Sequence, residues 1–273
     1  MITVLGASGF IGSHLVRRLA ELGIPHEAPS RDENLTGRNC GHIIYCIGLT
    51  ADFRSRPFDT VQAHVCKLMQ VLRDWEFDSL LYLSSTRLYG SELERANEED
   101  GFRFNPSNPS DLYNLSKAMG ESITLSCGRK TRVARLSNVY GEEVNSDNFL
   151  PSVIGDALSK RKVVLQTARD SAKDYISIDV AVQGLIDIAT RGSERVYNLA
   201  SGVNVSNGQL LQELSRLTGC EVEFLPEAKT INFPVIDISR IETEFGFQSS
   251  DVLGDLEGLV DFYRRHGDTG DQD

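Results

Sequence analysis

The sequence predicts an α/β fold in which helices cover both faces of a parallel sheet. Short apolar segments typical of buried strands alternate with segments of helical periodicity near 57–75 and 110–127, which is typical of such sheets. With 273 residues, of which 40% are hydrophobic, the chain can bury one large core or two coupled ones. The strand segments of the first half are "MITVL", "PHEAPS", "HIIYCIG", "SLLYLSS" and "TRVARLS".

The character of the elements changes beyond about residue 145, where shorter helices and strands mix. We therefore predict a first domain over 1–146, to which 174–192 returns, a smaller interleaved C-terminal α/β domain over 147–268, and a flexible tail over 269–273. The elements predicted after residue 145 are helices near 148–161, 206–218 and 251–265 and strands at "KVVLQ", "DYISI" and "RVYNLA".

Composition excludes several classes of protein. The formal net charge of −11 argues against a nucleic-acid-binding surface, so any anionic ligand must be held by local groups. No apolar run approaches the roughly 18–20 residues that span a bilayer, and "MITVLGASGF" lacks the features of a signal peptide. We therefore expect no membrane contact and a cytoplasmic location. Five scattered cysteines without metal-binding spacing predict free thiols and no metal site.

The segment "GASGFIG" places Gly6, Gly9 and Gly12 between the first strand and the first helix. In such a turn the first glycine adopts a backbone conformation that other residues avoid, the second lets a pyrophosphate approach, and the third lets helix and strand pack closely. The free amides of the helix N-terminus favour negative charge. This context predicts a dinucleotide-binding, Rossmann-type doubly wound sheet; the alternative is a turn that is only structural.

The segment "DLYNLSKAMGES" (111–122) places Tyr113 four residues before Lys117 in a helical pattern. Side chains four apart share one helix face, with β-carbons about 5–6 Å apart, so the phenol and the ammonium can meet. A nearby cation favours the phenolate, which would lower the pKa of Tyr113 and make it a usable acid or base. The alternative is that Tyr113 packs its ring while Lys117 is solvated.

These features resemble the extended short-chain dehydrogenase/reductase family of nucleotide-sugar epimerases, dehydratases and ketoreductases, over nearly the whole chain. The glycine spacing G-x-x-G-x-x-G and the pair of Tyr113 and Lys117 carry the resemblance. Further matching segments are "LLYLSSTRLYG" (80–90), "PSDLYNLSKAMGE" (109–121), "RLSNVYG" (135–141), "NFLPSVIGDAL" (148–158) and "DYISID" (174–179). The resemblance implies a nicotinamide cofactor, a nucleotide-sugar substrate bound by the second domain, and a homodimer formed through the two helical segments of the first domain.

The resemblance also implies a catalytic set of Ser85, Tyr113 and Lys117. Ser85 would hydrogen-bond the sugar oxygen and Tyr113 would exchange its proton. Lys117 would hold the nicotinamide ribose and lower the pKa of Tyr113. Thr86 is the alternative for the catalytic hydroxyl and is otherwise a substrate contact.

The residues after Ser85 narrow the reaction. Dehydratases of the family carry an acidic pair where this chain has Thr86 and Arg87, and the variant that uses a cysteine–histidine pair places its cysteine at Thr86. A 4-ketoreductase or dehydrogenase therefore remains. The alternatives are a nucleotide-sugar 4-epimerase that retains NAD and, from another class, a non-catalytic dinucleotide-binding sensor or scaffold.

The choice of nicotinamide depends on the end of the second strand. Members that prefer NAD have an acid there, whereas this chain has Ser30 followed by Arg31, which suits the 2′-phosphate of NADP. NADP(H) is therefore favoured, although Asp32 would reverse the preference and leaves NAD(H) possible. The family's acidic–hydrophobic pair beneath the adenine has no equivalent here. The implied cofactor contacts are Gly6, Ser8, Gly9, Phe10, Ile11, Gly12, Ser30, Arg31, Cys46, Gly48, Ser84, Tyr113, Lys117 and Val139.

On the substrate side, Lys173 stands where the family commonly pairs an arginine with the diphosphate, and a lysine offers a point charge there. A second arginine expected near residue 230 is missing, and Lys229 is the nearest cation, which leaves open a smaller or differently carried sugar. His64 stands where the family usually has asparagine, and we expect it to be packed or hydrogen-bonded without a catalytic role. The implied substrate contacts are Thr86, Asn138, Asn148, Phe149 and Lys173.

Overall fold

The computed structural model describes residues 1–31, 33–50, 52–143 and 148–266; both Asp32 and the predicted tail 269–273 lie outside these ranges. The strands are β1 Ile2–Leu5, β2 His26–Glu27, β3 His42–Tyr45, β4 Ser79–Ser85, β5 Arg95–Ala96, β6 Thr131–Leu136, β7 Asn138–Tyr140, β8 Lys162–Thr167, β9 Ala172–Ser177, β10 Val196–Leu199, β11 Asn204–Ser206, β12 Glu221–Lys229 and β13 Val235–Ile236. The helices are α1 Phe10–Glu21, α2 Pro57–Val61, α3 Lys67–Asp74, α4 Asp111–Ser126, α5 Phe149–Ser159, α6 Ile178–Arg191, α7 Asn207–Thr218, α8 Ser239–Phe245 and α9 Val252–His266. A π-helical turn, Gln62–Cys66, joins α2 to α3, and a 3-10 turn, Thr86–Tyr89, follows β4.

One six-stranded sheet organises the first part of the chain. Its strand order is β10-β6-β4-β3-β1-β2, and every neighbouring pair is parallel. The predicted α/β class with a doubly wound parallel sheet is confirmed. The direction of strand addition reverses between β1 and β3, and open sheets of this kind bind ligands in the crevice beyond the carboxyl ends of the strands at that point.

Alternating side chains of the sheet bury two apolar layers. Ile44 of β3 packs into the layer under α1 and α6, whereas its neighbours Ile43 and Tyr45 pack into the opposite layer with α3. This alternation is the period of two that a strand imposes. Because both faces are covered, the strands read as continuous apolar runs in the sequence.

A third apolar cluster lies where α5, α7 and α9 pack together with β8 and β12. Its fully buried members include Ile154, Leu210, Leu214 and Leu256. The second part of the chain therefore has a core of its own, and the proposed boundary near residue 146 stays a prediction.

Several elements differ from the predicted ones. The division into domains stays a prediction; beyond the segment 174–192 that it returns to the first domain, Val196–Leu199 also joins the main sheet in register with Val133–Leu136 of β6. The segment "PHEAPS" forms only a two-residue strand, since Pro29 has no N–H to extend the ladder. The helix predicted near 57–75 is interrupted by the π-helical turn, and β12 and α8 were not predicted.

A buried ion pair ties the sheet to α4. Arg135 of β6 donates to the carboxylate of Glu121 at 2.9 and 3.1 Å, and the exposed fractions of the two side chains are 6% and 5%. Arg135 also donates to the Tyr89 hydroxyl (2.7 Å) and to the carbonyl of Glu98 (3.0 Å). The guanidinium therefore joins α4 to the turn that follows β4.

We expect Arg135→Leu to lower the free energy of unfolding by about 3–5 kcal/mol, because it leaves the Glu121 carboxylate buried without a counterion. Urea unfolding followed by circular dichroism measures this. The matched control is the double variant Glu121→Leu/Arg135→Leu, which removes both charges and should lose less stability than the sum of the two single variants. A strictly additive double variant would contradict this account of the pair.

Candidate active site

The glycine turn has the geometry that its spacing predicted. Gly6 has a φ of +85°, a region that L side chains rarely adopt, and its carbonyl accepts the N–H of Gly9 at 3.1 Å. A Cβ on Gly12 would stand 2.2 Å from the Gly6 carbonyl oxygen, so only glycine allows α1 to start this close to β1. No side chain caps the N-terminus of α1, and its first amides therefore stay available to an anion.

A cleft of about 590 Å³ opens beyond the carboxyl ends of β1, β3, β4 and β6. It brings together the larger part of the residues predicted from the sequence to form the site. These are Gly9, Phe10, Ile11, Gly12, Cys46, Gly48, Ser84, Ser85, Thr86, Tyr113, Lys117, Asn138, Val139, Asn148, Phe149 and Lys173. Four predicted cofactor residues do not line it, namely Gly6, Ser8, Ser30 and Arg31.

Ser85 and Tyr113 meet in this cleft although 28 positions separate them in the chain (113 − 85). Ser85 ends β4, and its hydroxyl accepts the N–H of Arg87 at 3.2 Å, which caps the following turn. Tyr113 lies on the first turn of α4, and the Ser85 hydroxyl is close enough to its phenol to lower the pKa of Tyr113. The pair can therefore contact one oxygen atom of a bound molecule.

Lys117, one helical turn further, points under the site. Its Nζ donates to the carbonyl of Leu83 at 2.7 Å and lies 5.0 Å from the centroid of the Tyr82 ring. The side chain is buried, and burial lowers the pKa of Lys117 to about 8, with the charges of Cys46 and Glu121 acting in the opposite direction. The ammonium thus has two further N–H groups that the Leu83 carbonyl does not use, and burial destabilises its charged form. Both features are expected of a group that binds a polar ligand.

The expected lowering of the Tyr113 pKa by Lys117 is wrong. Burial raises the pKa of Tyr113, and the groups that oppose this increase are the Ser85 hydroxyl and the charge of Arg87. The physical reason is direction: Lys117 turns towards Leu83, whereas the Arg87 guanidinium carbon lies 5.5 Å from the centroid of the Tyr113 ring. Tyr113 therefore favours its protonated form, which suits a proton donor.

His64 is packed and hydrogen-bonded, as the sequence led us to expect. Leu49 N–H donates to Nε2 at 3.1 Å, Nδ1 lies 2.8 Å from the Ser116 hydroxyl, and the ring meets Tyr113 edge-on with centroids 5.4 Å apart. Burial, reinforced by the charge of Lys117, lowers the pKa of His64 to about 2. The neutral ring supports Tyr113 and the loop after β3 without exchanging protons.

The residues present fit a nicotinamide dinucleotide. The cradle above Gly12 has no room for a Cβ, and the buried hydroxyl of Ser84, which lines the cleft, has no hydrogen-bond partner in the described chain. Gly9 and the first amides of α1 would hold the pyrophosphate, and Lys117 and Ser84 would contact the nicotinamide half. When bound, such a cofactor supplies or accepts a hydride.

The predicted NADP site lies outside the cleft. Ser30 and Arg31 are exposed, and the Ser30 N–H donates to the carboxylate of Glu33 at 3.2 Å. Glu33 in turn lies 3.9 Å from Arg38, so this turn carries both charges. Asp32, the residue that would reverse the preference, lies outside the described residues.

The substrate end of the cleft is built by β7, β9 and α5. Lys173 stacks its ammonium 4.2 Å from the centroid of the Phe149 ring, and burial lowers the pKa of Lys173 to about 8. The side-chain amide of Asn138 donates to the carbonyl of Asp174 at 2.8 Å. Asn138 is thus committed to holding β9, while Lys173 keeps its charge for a ligand.

The cleft is lined by three cations in a protein whose formal net charge is −11. They are Lys117, Arg87 and Lys173. Among the described residues two carboxylates line it, and one of them, Asp174, already accepts hydrogen bonds from Ser201 and Gly202. The sequence singled out Arg87 only as a missing acid, because its place over Tyr113 depends on how the turn after β4 meets α4.

A family model described as the NAD dependent epimerase/dehydratase family matches residues 2–57 and 38–200 of this chain. A dTDP-glucose 4,6-dehydratase from Streptomyces griseus is 30% identical over 69% of this chain, which spans only 59% of that protein. A dTDP-4-dehydro-6-deoxy-D-allose reductase from a Streptomyces species is 22% identical over 97% of this chain and 96% of its own length. The solved structure of MoeE5 in complex with UDP-glucose and NAD has the same fold, with a TM-score of 0.82, 20% identity, and coverage of 97% of this chain and 99% of that one.

The described ranges contain no group of three or more His, Cys, Asp or Glu side chains that could hold a metal ion. None of the helices within them is both long and apolar enough to cross a membrane.

We expect Lys117→Met to stabilise the protein without added cofactor by about 1–3 kcal/mol at pH 7, because it removes a charge whose pKa is lowered by burial. Between pH 8 and about 10.5 the unfolded wild type binds more protons than the folded form, so its free energy of unfolding rises with pH and the gap to the variant closes. Urea unfolding from pH 7 to 9.5 measures this gap. The exposed Lys130→Met is the control, and a Lys117→Met protein less stable than wild type at pH 7 would refute the assignment.

Proposed function

This chain belongs to the NAD dependent epimerase/dehydratase family, and from that premise we propose that it is an NADP(H)-dependent reductase acting at the 4-position of a nucleotide-linked sugar. The observation that carries the proposal is the meeting of Ser85, Tyr113 and Lys117 in one cleft that also contains the glycine turn. A binding module alone has no need of a matched proton donor beside a dinucleotide cradle. The similarity to a reductase over 97% of the chain supports the same reading.

The chemistry that the residues support is addition of a proton to a sugar oxygen. Tyr113, kept protonated by burial, donates its proton to the oxygen while Ser85 hydrogen-bonds the same atom. Lys117, buried below them, orients the cofactor through the N–H groups that the carbonyl of Leu83 does not use.

Elimination of water is poorly supported, although several similar proteins are dehydratases. It needs an acid and a base beyond the tyrosine, and the positions next to Ser85 hold the hydroxyl of Thr86 and the guanidinium of Arg87. Neither is a general base at neutral pH, because arginine stays protonated.

A 4-epimerase needs the same three catalytic residues as a reductase. The two enzymes differ in how they treat the cofactor, because the epimerase retains its NAD.

We also propose that the protein acts in the cytoplasm as a homodimer that contacts itself through the helices α2, α3 and α4. Large apolar side chains on these helices are exposed, with exposed fractions of 87% for Phe58, 48% for Met69 and 53% for Met119. Exposed apolar groups on adjacent helices are typical of an interface between subunits. The exposure of these three side chains on neighbouring helices supports an interface between two copies of the chain over a face that only water covers.

We expect Tyr113→Phe to lower kcat by about 10²–10⁴-fold, because it removes the proton donor and leaves the ring in place. The assay follows oxidation of NADPH by a panel of nucleotide-linked 4-keto sugars. Tyr197→Phe is the matched control, since its hydroxyl bonds Glu244 away from the cleft and its loss should leave kcat unchanged. A Tyr113→Phe protein that reduces any of these sugars at the native rate would show that the mechanism is wrong.

We expect the purified protein to bind NADPH at least about tenfold more tightly than NADH, because Arg31 can pair with the 2′-phosphate. Nicotinamide fluorescence measures both affinities, after a check for cofactor already bound. Arg31→Gln should weaken NADPH alone, whereas the control Arg38→Gln removes a nearby guanidinium that is paired with Glu27 and should change neither affinity. Equal affinities would remove the NADP preference, and tightly retained NAD would favour the epimerase.

A further inference from the structure

Arg87 is a cation of the cleft that the proposed mechanism does not use. It stands two residues beyond Ser85, and its N–H bonds the Ser85 hydroxyl at 3.2 Å. Its half-buried guanidinium lies over the Tyr113 ring, with 5.5 Å between the guanidinium carbon and the ring centroid. The one hydrogen bond that this side chain makes to a described residue is long, at 3.5 Å to the carbonyl of Ser110. Most of its donors are therefore available.

A second guanidinium, which does not line the cleft, packs on the same phenylalanine as Arg87. The guanidinium carbons of Arg54 and Arg87 lie 4.5 and 5.4 Å from the centroid of the same ring, that of Phe53. Arg54 donates to the Ser110 hydroxyl at 3.2 Å. Burial lowers the pKa of Arg87, and the neighbouring charge of Arg54 adds to this effect. A half-buried guanidinium whose pKa is lowered is stabilised by a negatively charged group beside it.

The protein supplies no such group from the residues that the structure describes. The ion pairs formed among them include neither Arg54 nor Arg87. The acid that acts on Arg87 is Asp111, and its two oxygens already accept the Asn105 N–H (2.9 Å) and the Asn114 amide (3.1 Å). A partly buried, uncompensated cation at the wall of a cleft is typical of a site that a ligand completes.

We propose that Arg87 binds a carboxylate carried by the sugar ring of the substrate. The substrate is then a nucleotide-linked uronic acid or its keto form, an inference that rests on the proposed function. Arginine presents a planar fork that matches a carboxylate. Because the Arg87 guanidinium lies over the Tyr113 ring, an anion held by it belongs to a group close to the reacting oxygen.

The diphosphate has a separate cation in the same cleft. Lys173 stacks on Phe149, on elements of the second core, whereas Arg87 packs on Phe53 in front of α4. The resemblance places the diphosphate near Lys173, which leaves Arg87 to the sugar. The same position carries an acid in the family's dehydratases, and an acid there would repel the carboxylate that a guanidinium attracts.

The experiment measures, by calorimetry, the binding of UDP-glucuronic acid and UDP-glucose to the protein loaded with its cofactor. The two probes differ only in a carboxylate against a hydroxymethyl group. We expect the acidic sugar to bind at least about tenfold more tightly to the wild type, which corresponds to one added charge-assisted contact. Arg87→Gln should bring the ratio to about 1 while changing the affinity for UDP-glucose less than about twofold, and Arg87→Lys should retain part of the preference.

The control Lys173→Gln should weaken both sugars by the same factor. Equal affinities of the wild type for the two sugars would overturn the carboxylate site alone. Equal loss of both sugars in Arg87→Gln would overturn it as well and would assign Arg87 to the diphosphate. If neither sugar binds the loaded wild type, the nucleotide-sugar function itself fails, and the carboxylate site fails with it.

Discussion

The arrangement of the residues in the site depends on the Arg135 guanidinium, a charge buried behind the cleft. The Arg135 guanidinium bonds the carboxylate of Glu121 on the helix that carries Tyr113 and Lys117, and it bonds the Tyr89 hydroxyl at the end of the turn that Ser85 caps. Two segments that are distant in the chain are thereby held to one strand. A pair buried this deeply contributes little net stability, but its geometry allows one arrangement of its partners.

Electrostatics in the cleft oppose the charge of the whole molecule. The acidic surface gives an anionic ligand no general attraction, whereas the cleft contains cations that burial has partly desolvated, including Lys117 and Lys173. Their lowered pKa values indicate that holding these charges in the cleft lowers the stability of the folded protein. Such loss of stability at a binding site is common where ligands supply the missing partners.

Local patterns in the sequence identified the parts of the site that lie on single elements. The glycine turn, Tyr113 and Lys117 could be predicted because each depends on neighbouring residues: a strand followed by a tight turn, or two side chains one helical turn apart. The sequence did not place β10 in the main sheet, because a four-residue apolar strand pairs equally well with many partners until the rest of the sheet exists. The interruption near His64 was equally invisible, since a π-helical turn keeps the composition of a helix.

The sequence by itself determined the fold class, and it singled out the glycine turn and the residues proposed to be catalytic. Only the tertiary structure decided how those residues act on one another. It turned Lys117 away from Tyr113 and towards the Leu83 carbonyl, and it brought the guanidinium of Arg87 over the phenol instead. The reason is physical: spacing along a helix fixes which side chains share a face, whereas the direction of a long side chain and the burial that sets its pKa depend on what the rest of the chain packs against it.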